Sequence, residues 1–267
     1  YGVTRDKVIS LNTVLSDGIK VVFGEISQDE FDRKCGQKDL EGTIYRQIFD
    51  ELNNPEVREE IHAQFPKKSI HRRNTGYAVD ELLKAELFEG KEKFNFCKLL
   101  ADSEGTLAFT TEIKISLDPL PDPVEIVVAA HFATIHESMK SAQVAMKHPA
   151  TAVALMDKII LDCTKESIEY SKNRYFVEED PEAILMIEFR GKTLEEAMAK
   201  GEALVADLKA GGYGYAYPII EPEKVASAWA LRAAGLGLLG NIPGDPKAVA
   251  CIEDTAVDIE DLADYID

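Results

Sequence analysis

The 267-residue sequence holds no CxxC pair: Cys35, Cys97, Cys163 and Cys251 stand far apart. Dispersed thiols in a chain this long exclude a disulfide framework and fit a reduced, cytosolic compartment. No apolar run reaches the ~20 residues that a membrane-spanning helix needs, and the first residues carry no basic and apolar leader. Basic charge is scarce: 30 Lys and Arg face 48 Asp and Glu, a net charge of −18. That balance argues against nucleic-acid binding, which calls for a basic footprint. The one basic cluster, Lys67-Lys68-Ser69-Ile70-His71-Arg72-Arg73, reads as a solvated loop or helix end. Because it runs into Asn74-Thr75-Gly76, it also suits contact with a phosphate or a partner.

The common catalytic motifs are missing too. GxxxxGK[ST], HExxH, GxSxG and a strand-linked GxGxxG do not occur. The nearest look-alike, Gly235-Leu236-Gly237-Leu238-Leu239-Gly240, follows a helical pattern and suits a hinge or a close backbone approach. His62, His71, His131, His136 and His148 show no metal-ligand spacing, so packing or surface roles and no metal site are expected.

What is present is ordinary globular material, with 45% hydrophobic and 29% charged residues, enough for a sizeable core and two domains. Val8–Leu15 and Ile19–Phe23 flank Ser16-Asp17-Gly18, a hairpin signature. Residues 28–66 are helix-like, with Phe31, Ile44, Ile48, Phe49 and Leu52 apolar and Pro55 at a helix start. Tyr77–Leu87 is amphipathic, and Leu107–Leu117 alternates as a strand does. Asp118-Pro119-Leu120-Pro121-Asp122-Pro123 then interrupts the pattern, which places the domain boundary at 118/119.

Beyond it, strands are expected at Ile126–Phe132, Ala183–Phe189, Tyr213–Ile220 and Ala248–Ile252; Ala152–Ile160 is apolar and ambiguous. Helices are expected at Thr134–Lys147, Thr193–Ala210 and Glu223–Leu239. Thr134 with Glu137 and Thr193 with Glu196 have capping-box spacing, and Gly211-Gly212 is a stop. Strand–helix–strand order twice over implies an α+β, ferredoxin-like sheet.

A few residues could carry chemistry. Asp102-Ser103-Glu104-Gly105-Thr106-Leu107 is a polar turn that runs straight into a strand. Glycine tolerates φ > 0 and close approach, and successive N–H groups of such a turn can face a ligand. Arg232, in Trp229-Ala230-Leu231-Arg232, is either a helix-surface arginine with an acidic partner or a carboxylate clamp. Lys247 alone would be a surface lysine, and beside Arg232 it could complete a carboxylate site. Glu253 and Asp254 form an acidic pair at a strand end.

Asn74-Thr75-Gly76-Tyr77, a short helix, then Ser103-Glu104-Gly105-Thr106-Leu107 and the Thr111-Glu112-Ile113 strand together resemble the FAD-linked oxidases with a vanillyl-alcohol-oxidase-type flavin domain. The opening Tyr1-Gly2-Val3-Thr4-Arg5-Asp6-Lys7-Val8 with Val14-Leu15-Ser16-Asp17-Gly18 resembles a strand pair of that domain. Trp229-Ala230-Leu231-Arg232, and Lys247 with Glu253-Asp254-Thr255-Ala256-Val257, resemble segments of the family's substrate domain.

The resemblance implies that residues 1–118 are the second half of the FAD-binding domain and 119–267 a truncated, ferredoxin-like substrate domain. It implies FAD contacts at Asn74, Gly76, Ser103, Glu104, Gly105, Thr106, Glu112 and Ile113, with Arg232 and Lys247 holding a substrate carboxylate. The implied reaction is oxidation of a D-2-hydroxy acid (D-2-hydroxyglutarate, D-lactate or glycolate) by hydride transfer to FAD. An electron-acceptor protein or quinone, a homodimer and a cytoplasmic or acceptor-linked membrane location are the implied partners and setting.

The family's Gly-rich pyrophosphate loop and its His-rich segment do not occur here. The chain is therefore expected to be an internal fragment, inert alone and weak or lacking in FAD binding. The catalytic residues, a divalent metal and an iron–sulfur cluster would belong to segments outside it. The competing expectation is a non-catalytic carboxylate- or partner-binding module that reuses the fold.

Overall fold

A computed structural model describes residues 2–70, 76–165, 167–240, 242, 244, 245, 247, 255 and 257–267. The chain is α+β and divides into two compact units, one ending at Pro119 and the other starting at Leu120.

The first unit opens with a 3-10 turn, Thr4–Lys7, followed by β1 (Val8–Val14) and β2 (Lys20–Ile26). These strands form the expected hairpin, with Val14 opposite Lys20. Its tip closes through Gly18 N–H to the Leu15 carbonyl, 2.9 Å, with Gly18 at φ +85. Leu11, Thr13, Val21 and Phe23 fill the inner face. Three helices follow, α1 (Gln28–Cys35), α2 (Leu40–Leu52) and α3 (Pro55–Gln64). The side chains of Ser27, Asp39 and Asn54 cap them, and Pro55 opens the last.

They pack Phe31, Tyr45, Leu52 and Ile61 against Phe23 and the Phe94–Phe96 region. The rings of Phe94 and Phe96 meet edge to face, 4.8 Å apart at 88°. Such pairs each add about 0.5–1.5 kcal/mol beyond area burial.

The helix expected over Tyr77–Leu87 shrinks to α4 (Val79–Leu82) and a 3-10 turn at Glu86–Phe88. The chain turns back here instead of continuing. The Lys84 carbonyl accepts from both Lys91 and Glu92 N–H at 2.9 Å, and Glu89 lies at φ +69. The turn needs Gly90, where a Cβ would sit 2.0 Å from the Lys84 carbonyl oxygen. Phe94–Asn95 returns as β3, paired with β2. A short α5 (Cys97–Leu100) leads into β4 (Phe109–Ile115), and the sheet order is β3-β2-β1-β4.

The second unit contains β5 (Val124–Phe132), α6 (Ile135–Ala145), β6 (Ala152–Asp157), α7 (Lys158–Lys165), β7 (Ala183–Gly191), α8 (Leu194–Gly211), β8 (Ile219–Ile220), α9 (Pro222–Leu239) and α10 (Leu262–Ile266). The sheet is antiparallel in the order β6-β7-β5-β8, the ferredoxin-like arrangement of two split βαβ units. Ile126, Val128, Ala130 and Phe132 face α6 and α8; Val127 and Ala129 face α7 and α9. Both threonines cap their helices, Thr134 accepting from Glu137 N–H at 3.1 Å and Thr193 from Glu196 N–H at 3.2 Å, while the Glu137 carboxylate accepts from Gly214 N–H at 2.6 Å and that of Glu196 from Lys192 N–H at 2.9 Å. Gly212 ends α8 at φ +71.

Three expectations change. Ala152–Ile160 splits into strand and helix, because the Asp157 carboxylate accepts from Ile160 N–H at 2.9 Å and starts α7. The strand expected over Tyr213–Ile220 forms in part: Ile219–Ile220 are β8, and Ala216 bridges His131 of β5, with Ala129 N–H donating to the Pro218 carbonyl at 2.9 Å. Gly214 at φ +75 and the Tyr217 hydroxyl, 2.7 Å from the Gly214 carbonyl, curl its start. The Gly235–Gly240 run is no hinge: it lies at the end of α9, and Gly235 lets the helix close on Ile160 at a would-be Cβ distance of 3.0 Å. The expected Ala248–Ile252 strand lies outside the described residues.

His131 is fully buried in β5. Its Nδ1 lies 2.8 Å from the Ala129 carbonyl, and its Nε2 accepts from Glu178 N–H at 3.1 Å. That pairing fixes a neutral ring with the proton on Nδ1, and burial lowers its pKa. The folded pKa thus falls below the unfolded value of ~6.5, so this contribution is full above that pH and is lost as pH falls through the folded value. His131→Leu should lower stability at pH 7.5 by about 1–3 kcal/mol, by orphaning Glu178 N–H. It should also flatten the decline between pH 7.5 and pH 5. Denaturant titrations of both proteins at the two pH values check this, and equal acid losses would count against it.

Candidate functional site

The turn after α5 is built from backbone. Ser103 is buried, and its hydroxyl donates to the Leu100 carbonyl at 2.9 Å. Thr106 N–H closes onto the Ser103 carbonyl at 2.9 Å. Between them Glu104 and Gly105 sit at φ +51 and +74, the signature of a type I′ turn. Glu104 is an unusual occupant of that region. Glu104 and Gly105 are exposed residues, and their N–H groups have no partner among the described residues. A Cβ on Gly105 would meet nothing within 4 Å, so its backbone faces open space.

The structure brings the two polar motifs of the first unit together. Thr106 donates its hydroxyl proton to the Ser103 carbonyl at 2.5 Å, which leaves the Tyr77 hydroxyl to donate to Thr106 Oγ1 at 2.7 Å. Gly76 precedes Tyr77 at φ +91, also facing open space. Asn74 lies outside the described residues. Glu112 and Ile113 are on β4, opposite Asn12 and Leu11 of β1, and Ile113 is 59% exposed.

One feature of this region was missed in the sequence. Arg5, in the opening 3-10 turn, is 4% exposed and pairs with Asp102 at the foot of the turn. The two residues are 97 apart in the chain, and nothing local links them.

In the second unit, Arg232 is exposed on α9 and has no ion-pair or hydrogen-bond partner among the described residues. Lys247 is exposed and donates to the Ile242 carbonyl at 2.6 Å. Three residues before Arg232, the Trp229 indole N–H donates to Glu125 Oε1 at 2.9 Å. Glu125 pairs in turn with Arg190, which also holds Glu188 at 2.7 Å. Burial pushes the Glu125 pKa up, and the Trp229 hydrogen bond opposes this. Trp229 thereby fastens α9 to the sheet. Glu253 and Asp254 lie outside the described residues. His136 pairs with Asp267 at 2.6 Å, so it has a partner separate from those of His131.

Among the described residues no group of three or more His, Cys, Asp or Glu could hold a metal ion. No described helix is long and apolar enough to cross a membrane.

Residues 122–267 match the family described as FAD linked oxidases, C-terminal domain, and the chain belongs to that family. Curated relatives narrow the comparison. The chain is 29% identical over 274 residues to the D-2-hydroxyglutarate dehydrogenase of Pseudomonas putida, covering 100% of this chain and 26% of that protein. It is 28% identical over 277 and 278 residues to the D-2-hydroxyglutarate dehydrogenases of Pantoea ananatis and Escherichia coli, with the same coverage. The chain thus spans about a quarter of the length of these relatives.

A left-handed residue other than glycine costs about 1–2 kcal/mol. Gly105→Ala should therefore lower the stability of the first unit by about 1 kcal/mol. Chemical denaturation measures it, and an unchanged midpoint would mean that position 105 is not left-handed.

Proposed function

We propose that this chain supplies one wall of the flavin site and the carboxylate-binding cations of an FAD-dependent dehydrogenase that oxidises a D-2-hydroxy acid. The observation that carries the reading is the Ser103–Thr106 turn. It offers two unpartnered N–H donors on an open backbone surface, with Tyr77 locked beside it. Those donors fit the carbonyl and ring-nitrogen acceptors of an isoalloxazine. The Glu104 carboxylate next to them disfavours a phosphate there, since like charges repel at close range.

In this reading residues 1–118 belong to the FAD-binding domain and 119–267 to the substrate domain. Asn74, Gly76, Ser103, Glu104, Gly105, Thr106, Glu112 and Ile113 are the flavin-side residues. FAD, when bound, supplies the hydride acceptor. The chain's own task is position and charge. Glu104 and Gly105 N–H groups hold the ring edge, and the Tyr77–Thr106 hydrogen bond fixes the turn that carries them.

Arg232 presents a planar fork suited to a carboxylate, and no described partner competes for it. Lys247 spends one of its three donors on Ile242 and keeps two for a ligand. Two cations suit a substrate with two carboxylates, which together with the relatives' names favours D-2-hydroxyglutarate over D-lactate and glycolate. The relatives' greater length supports placing the base that takes the hydroxyl proton, and any metal, outside these residues. An electron-acceptor protein or quinone would then reoxidise the flavin, and a homodimer is part of the same proposal.

The test uses the full-length protein with a D-2-hydroxy-acid panel and an artificial electron acceptor. D-2-hydroxyglutarate should be the preferred substrate. Arg232→Ala should raise its KM about tenfold to a hundredfold, the loss of a charged hydrogen bond worth ~1.5–3 kcal/mol. An unchanged KM would remove Arg232 from the site.

A further inference from the structure

The flavin-facing turn has little holding it in place from within. Its internal bonds join Ser103 to Leu100 and Thr106, and among the described residues Tyr77 is the side chain that hydrogen-bonds to it from outside. The polypeptide on either side of the turn, however, is tied to a single short element, the 3-10 turn at Thr4–Lys7. Arg5 binds Asp102, the residue just before Ser103. Lys98 of α5 pairs with Asp6 at 3.1 Å. At the far end of β4, Ser116 N–H donates to the Lys7 carbonyl at 2.8 Å.

We propose that Arg5 is a positioning residue for flavin binding: through Asp102 it sets the direction in which the Ser103–Thr106 turn presents its N–H groups. Arg5 touches neither cofactor nor substrate in this scheme. The proposal rests on the flavin reading of the turn.

Chemistry explains why an arginine stands there. The Arg5 side chain is 4% exposed, and its Nε has no hydrogen-bond partner among the described residues. Burying a charge that is only partly satisfied is unfavourable, so mere packing would be served better by an apolar side chain. What the pair adds is a charge-assisted tether from Arg5 Nη2 to Asp102 Oδ2, which holds the residue before Ser103 to the Thr4–Lys7 turn. Asp102 is 31% exposed, so the pair joins the interior to the surface turn. Glu104 needs such support, since its left-handed backbone is unfavourable unless its neighbours impose it.

The test compares wild-type full-length protein with Arg5→Lys, Arg5→Met and the double variant Arg5→Met/Asp102→Leu. The double variant leaves no buried charge and keeps the proposal testable if Arg5→Met alone fails to fold. Two quantities are read, the FAD dissociation constant from flavin fluorescence and the amide exchange of Ser103 and Thr106 without FAD.

In the double variant the FAD dissociation constant should rise about tenfold. Exchange at Ser103 and Thr106, whose N–H groups are hydrogen-bonded within the turn, should quicken by about tenfold, with the β5–β7 amides unchanged. KM for the hydroxy acid at saturating FAD should stay at the wild-type value. Arg5→Lys, which keeps the charge, should recover part of the flavin affinity. A folded double variant with wild-type flavin affinity and wild-type exchange at Ser103 and Thr106 overturns the proposal. If wild-type protein itself binds no FAD, the flavin reading fails, and turn exchange in the variants still decides whether Arg5 positions the turn.

Discussion

The second unit is governed by one constraint: β5 and β7 are buried on both faces. Nine consecutive residue pairs, from Val124 opposite Gly191 to Phe132 opposite Ala183, put two apolar strands at the centre of the sheet. Neither strand can leave a face to water, so helices must cover both sides. α6 and α8 cover one face, and α7 with α9 the other. The position of Arg232 follows from this arrangement. Val225, Ala228 and Leu231 of α9 are consumed by the sheet, and Trp229 is tied to Glu125. The next residue, Arg232, is left outward with its guanidinium free among the described residues.

The first unit works differently. Its sheet has one well-covered face, filled by Leu11, Val21, Phe23 and the aromatic cluster around Phe94. The surface proposed to meet the flavin is a stretch of backbone, the turn from Ser103 to Thr106. Glu104 and Gly105 are successive left-handed residues, and their N–H groups have no partner among the described residues. The Glu104 carboxylate is the charge within the turn, and the Arg5–Asp102 pair stands at its foot. In the proposed reading, the unpartnered N–H groups suit a neutral, flat ligand edge, and the Arg5–Asp102 pair sets the aim of the turn that carries them.

Much of this was legible in the sequence for local reasons. Ser16-Asp17-Gly18 marks the hairpin because glycine supplies the positive φ. The Thr134/Glu137 and Thr193/Glu196 pairs mark helix starts because their side chains satisfy free N–H groups. The apolar runs at Ile126–Phe132 and Ala183–Phe189 mark strands buried on both sides. What was not legible depends on contacts between distant segments. Tyr77–Leu87 has the right periodicity for a helix, but the Lys84 carbonyl and the close-packed Gly90 turn the chain back. The Tyr213–Ile220 pattern suits a strand, yet Gly214 and the Tyr217 hydroxyl curl its start. In the site, glycine and neighbouring polar residues pointed to the Ser103–Thr106 turn. Tyr77's bond to Thr106 and Arg5's pairing with Asp102 join residues far apart in the chain, and no spacing rule reports them.

The most direct measurement is amide hydrogen exchange at Glu104 and Gly105 in the full-length protein, with and without FAD. These two N–H groups belong to exposed residues and are unpartnered among the described residues, so they should exchange rapidly in the free protein. If they hold the flavin, saturating FAD should slow both by about tenfold or more, since exchange then requires the contact to open. FAD binding that left both rates unchanged would contradict the assignment of this turn to the flavin site.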